Sequence, residues 1–99
     1  MLTAIHWPKD ETPLTARYSQ ARAEYIRLRT EEERLSALAD AAFNRWFSGE
    51  VQSAQAATRA ANRTNYASAE TAGAEIKLYA AADAVGIQNL DLDKIWEER

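Results

Sequence analysis

From Pro13 to Phe47, apolar or small residues recur at Leu14, Tyr18, Ala21, Tyr25, Leu28, Leu35, Ala39, Ala42 and Trp46. Steps of three and four place all of them on one stripe of an α-helix. Glu32 alone interrupts the series, at the point where one further stripe residue is due. A stripe this long has to be buried against another element, so it sets the architecture of the whole chain. Its large members, Tyr25 and Leu35 among them, are expected to be core.

The partner is expected to be helical as well. Alanine, the best helix former, is the commonest residue, whereas valine, a strand former, occurs only as Val51 and Val85. Alanine contributes little buried area, so the core rests on the three Trp, four Tyr, two Phe and the Leu/Ile set. Ninety-nine residues suit one small domain with a modest core. The fold class that follows is mainly α, a long antiparallel helical hairpin with short terminal arms. Residues 1–12 are read as an extended N-terminal arm, 13–86 as the helical domain and 87–99 as a short amphipathic C-terminal segment.

Local signals set the boundaries. Thr12-Pro13 offers an N-cap followed by a proline where no N–H is needed. Thr30-Glu31-Glu32-Glu33 fits a capping box. The stripe nevertheless keeps its phase across that point, so a continuous or slightly bent helix is expected. Ser48-Gly49 is a stop, with Gly49 in the left-handed position. Residues 51–66 are ambiguous: a helix over 50–61 is expected, with a loose hairpin as the alternative. Asn62-Arg63-Thr64-Asn65 should break it, because Asn and Thr compete for the backbone. A further helix is expected over 69–85 with Ala72, Ile76, Tyr79 and Ala80 inward and Leu78, Ala82 and Val85 widening that side, ended by Gly86. Gly73 lies inside it, either for close approach of another helix or for no structural reason. Asp91 to Glu98 should fold back as a small lid through Leu92, Ile95 and Trp96.

The chemistry a catalytic or metal site requires is thin. The chain has no cysteine, which excludes a disulfide framework, a thiolate nucleophile and a zinc knuckle. His6 is the single histidine and has no neighbour to build a site with. Glu31 to Glu33 and Asp91-Leu92-Asp93 sit where helix starts account for them, and the three glycines are too scattered for a phosphate loop. No catalytic residue, metal ligand or cofactor is therefore assigned. A net charge of −3 and a pI near 5.1 argue against a general phosphate-backbone binder. Arg59 and Arg63 near Tyr66 leave nucleic acid as a minor option. Arg17, Arg22, Arg27 and Arg29 lie mainly off the stripe and read as a solvated face, with a basic patch for an acidic partner as the alternative. No apolar run approaches eighteen residues and no signal peptide is visible, so a cytoplasmic or virion protein is expected.

Aromatics next to helix breakers are the remaining signal. Trp7, Phe47 and Trp96 fall at or beyond the ends of the helical periods, and all three are expected to bind a protein partner. Trp46 and Phe47 face different sides of the helix, so one should meet the core and the other a partner.

Two layouts resemble known families. Trp46-Phe47-Ser48-Gly49 with a later Tyr79-Ala80-Ala81-Ala82-Asp83 is similar to small secreted helical hairpins with a central Trp-x-Gly and a Tyr-x-x-x-Asp/Glu. It departs from them by one extra residue in the Trp motif and by a Tyr motif inside a helix. Residues 35–86, an amphipathic helix ending at Ser48-Gly49, a connecting segment and a helix opened by Asn65-Tyr66-Ala67-Ser68, resemble the bacteriophage head–tail joining proteins of the lambda protein W type. That resemblance implies two helices flanking a small β-hairpin and copies assembled as a ring at the portal. The branched alternation and tight Gly turn of a good hairpin are missing from 51–66. The functional expectation is a non-enzymatic structural or adaptor protein, a phage head-completion or neck component, acting through protein contacts as a homo-oligomer or ring. The alternative is a small helical inhibitor that covers a host protein.

Overall fold

A computed structural model describes residues 12–99, and Trp7 and His6 lie outside the described residues. Three helices follow one another: α1 Pro13–Phe47, α2 Gln55–Ala84 and α3 Leu92–Glu98. α1 and α2 pack along their length as a helical hairpin, and α3 folds back onto α1. The described residues contain no strand, so the small β-hairpin implied between the helices is not present there.

The ends of α1 follow from local chemistry. The Thr12 hydroxyl accepts from the Thr15 N–H at 3.1 Å, and Pro13 occupies the first turn. At the other end Gly49 takes φ +79°, the Gly49 N–H donates to the Trp46 carbonyl and the Glu50 N–H reaches back to Arg45. This pair of bonds satisfies carbonyls that the helix end leaves open. The capping box at Thr30 is not used, and the Thr30 hydroxyl instead donates to the Ile26 carbonyl within an unbroken helix. Arg27 pairs with Glu24 and Arg34 with Glu31 on the outer surface, as a solvated face requires. These arginines hold both carboxyls below the usual carboxylate range.

α2 departs from expectation in two ways. It runs straight through Asn62-Arg63-Thr64-Asn65. Asn62 and Asn65 face solvent, and the Thr64 hydroxyl donates to the Ala60 carbonyl, so no side chain draws the backbone out of the helix. Ala57 on one side and Ala67 on the other are buried, and that tertiary contact overrides the weak local preference. The inward face also differs. Ala67, Thr71, Ala74, Leu78 and Ala81 are buried, whereas Ile76 is 71% and Tyr79 46% exposed. The reason lies opposite, on α1, whose stripe carries the bulk. Small residues on α2 receive Tyr18, Tyr25 and Leu28, which Ile76 and Tyr79 would obstruct.

The core proper is Tyr25, Ala74, Leu78 and Ile95, flanked by Tyr18, Ala21, Ile26, Leu28, Leu90 and Leu92. Tyr25 and Leu78 are the largest fully buried side chains. Leu35, expected to be core, is only half-buried, because the bulk is concentrated toward the open end of the hairpin. α3 starts at Asp91, whose Oδ1 accepts from the N–H groups of Asp93 and Lys94 at 3.0 and 3.2 Å. It delivers Ile95 into the core, so the C-terminal segment completes the monomer's packing.

Tyr25→Ala and Leu78→Ala should each lower stability by roughly 2–5 kcal/mol, as truncations of fully buried large residues do. Leu35→Ala should cost clearly less than either, and urea denaturation of the three variants checks the order.

Candidate functional site

Two surfaces stand apart from ordinary helix exterior. The first is the turn end of the hairpin, where α1 finishes on Phe43, Trp46 and Phe47. Phe43 is three residues from Trp46 and four from Phe47, so it neighbours both rings, and Trp46 and Phe47, expected on different sides of the helix, meet beside it. Ring centroids lie 4.8 Å apart for Trp46–Phe47, 6.0 Å for Phe43–Phe47 and 6.4 Å for Phe43–Trp46. Phe43 and Trp46 are half-buried, but Phe47 is 73% exposed and Leu38, further back on α1, is 52% exposed. The turn bonds at Gly49 and an Arg45–Glu50 ion pair at 3.4 Å hold this end. Aromatic side chains held by their neighbours but left in water are the usual makings of a protein-binding hot spot.

The second is an acidic groove of about 900 Å³ where α1, α2 and the segment before α3 converge. Glu32 and Glu33 from α1, Glu75 from α2, and Asp91 and Asp93 line it. Glu32 is the interruption of the α1 stripe, and it opens the hairpin interface to water at this point. Thr64 and Thr71 line the α2 wall, and each hydroxyl donates to its own helix, to Ala60 and Ala67 at 3.0 Å. The carboxylates do not converge on a point: among the described residues no group of three or more His, Cys, Asp or Glu could hold a metal ion. What such a groove can do is favour a cationic group by its field.

Arg29 is the cation of this groove and acts as a clasp. Its Nη1 donates to the Tyr25 hydroxyl at 2.6 Å and lies 3.6 Å from Asp93. Its guanidinium also sits 4.6 Å from the Trp96 ring centre, with Arg99 on the same indole at 3.7 Å. Burial disfavours the Arg29 charge, but the Tyr25 hydroxyl, Asp93 and Glu33 outweigh it and hold its pKa above the ordinary value. Arg29 therefore belongs to the packing of α3, not to a solvated basic face.

Of the residues expected to bind a partner, Phe47 is exposed in the aromatic cluster, Trp96 is half-buried in the clasp, and Trp7 is outside the described residues. Phe47 and Trp96 are not brought together. Trp96 stacks on Arg29, which precedes Phe47 along α1 by roughly 27 Å of helix rise. Of the minor nucleic-acid set, Arg63 and Tyr66 share a groove with Glu31 and Glu70, a mixed-charge surface. No described helix is long and apolar enough to cross a membrane. The chain matches no model of a known protein family, no curated protein and no solved structure.

Arg29→Ala removes a hydrogen bond, a cation–π contact and an ion pair together, and should cost roughly 2 kcal/mol. It should also speed amide hydrogen exchange in α3 while leaving the first turns of α1 unchanged. Unchanged exchange in α3 would show that Ile95 alone holds the helix.

Proposed function

We propose that this protein is a non-enzymatic adaptor that grips a protein partner through the aromatic end of its hairpin. The observation that carries the reading is the exposure of Phe47 on top of Phe43 and Trp46. An apolar ring that touches its neighbours by one side and is left mostly in water adds little to the monomer's own packing, and interfaces are enriched in such anchors. A helical hairpin suits this task because it presents its turn at a fixed distance from whatever holds the other end. A phage head-completion or neck component, repeated in a ring, is the setting we propose for it. Trp96 and Trp7 are secondary contacts in that reading.

The acidic groove favours a second reading, an inhibitor that covers a basic surface of a host protein. Glu32, Glu33, Glu75, Asp91 and Asp93 on one side of the hairpin supply the compact acidic face that such a protein needs.

Phe47→Ala separates the two. In the adaptor reading it should leave helix content and melting unchanged, because the side chain is exposed. It should weaken partner binding by about 2 kcal/mol, near thirtyfold in dissociation constant. Partner capture from phage-infected host lysate, followed by titration against the purified partner, is the measurement. Binding that ignores Phe47→Ala but is lost on Glu32→Lys and Glu75→Lys supports the inhibitor instead.

A further inference from the structure

A two-helix hairpin has a seam on either side, and the described residues treat the two differently. On one side α3 and the segment before it lie beside Tyr25 and Arg29, and Ile95 is buried there. On the other side α1 and α2 leave an apolar groove of about 420 Å³. Its lining is made of alanines: Ala21 of α1, with Ala74, Ala80, Ala81 and Ala84 of α2. Ala74 and Ala81 are buried and form its floor. Methyl side chains shape such a trough without filling it.

Reach, burial and charge all point to the N-terminal arm as the occupant. The groove lies at the open end of the hairpin, where α1 begins. Gln20, on its border, is eight residues past Thr12, about 12 Å of helix rise. Trp7 is five residues before Thr12, and five residues of extended chain span up to about 17 Å. A chain that turns back ahead of Thr12 therefore has the length to bring an indole to the groove. Ala16 lies on that path, one turn before Gln20 on the same side of α1. It is 8% exposed although it stands off the stripe that meets α2, whereas Leu14 on the stripe is 44% exposed. Arg17 and Lys77 edge the groove, and neither makes an ion pair among the described residues. Asp10 and Glu11 give the arm the opposite charge close to Arg17.

We infer that this groove is the seat of the chain's own N-terminal arm, with the Trp7 ring over Ala21 and Ala81. The arm then closes one seam of the hairpin as α3 closes the other. The seat withdraws Trp7 from the secondary contact given to it in the adaptor reading and leaves Phe47 as the anchor.

The test uses the whole chain with isotope-labelled alanine methyls. The Trp7 ring should displace the Ala21 and Ala81 methyl resonances by its ring current, and Trp7→Ala should return them to ordinary alanine positions. Trp7→Ala should also lower the folded-to-unfolded ratio in urea titration by roughly 5–30-fold. Ala80→Glu changes an exposed wall of the groove, so helix content should hold. Its loss of stability should overlap that of Trp7→Ala, leaving the double variant well short of the sum. Phe47→Ala should leave the methyl resonances in place, and with no partner in the sample the outcome is independent of the adaptor reading. Methyl resonances that ignore Trp7→Ala overturn the inference. So do displaced resonances that fade on dilution, which would put the arm of a second copy in the groove.

Discussion

Two helices can pack closely only if bulk on one is met by its absence on the other. Here α1 holds the tyrosines and leucines and α2 holds the alanines, and everything else follows from that division. Tyr18, Tyr25 and Leu28 reach across into space that Ala74, Ala81 and their neighbours leave open. Interiors pack at crystal-like density, so a bulky residue on the α2 inner face would need one on α1 to shrink. The consequence runs outward as well. With its inner face committed to small residues, α2 can place Tyr66, Ile76 and Tyr79 only on other faces. Those apolar side chains then become available to partners.

Much of α1 is legible in the sequence. Thr12-Pro13 and Ser48-Gly49 carry local physical meanings and act in the structure as those meanings imply, while the stripe is buried at Tyr25 and Ala39 but leaves Leu14 exposed and Leu35 half-buried. α2 is harder to read, because a stripe made of alanine and threonine differs little in hydropathy from an alanine-rich exterior. Ile76 and Tyr79 are conspicuous apolar residues there, and they draw the centre of the expected face away from Thr71 and Ala74, leaving buried Leu78 and Ala82 at its edge. The Asn62 to Asn65 run misleads for another reason: propensity acts residue by residue, while buried Ala57 and Ala67 act on the helix as a whole. The exposed Phe47 is visible in advance from its place beside a breaker. The acidic groove is not, since its carboxylates come from three separate segments that only the fold brings together. Glu32 in the stripe is its one sequence sign.

The hairpin's length keeps the aromatic turn end apart from the acidic groove, which shares its stretch of α2 with the outer face of that helix. The turn end is aromatic, the groove under α3 is acidic, and the outer face of α2 is small and apolar. A protein of this size could have merged them into one patch.

The position of the core has a kinetic consequence. Tyr25, Leu78 and Ile95 lie near the open end of the hairpin, remote from the turn that joins the two helices. Bringing Tyr25 to Leu78 closes a loop of more than half the chain before the best contacts form, and that closure entropy falls on the folding barrier. Helices themselves form in about a microsecond, so the slow event is their meeting, not their winding. The turn end, where Ala39 and Ala57 are the buried residues, closes the loop in sequence but adds no large buried side chain to that meeting.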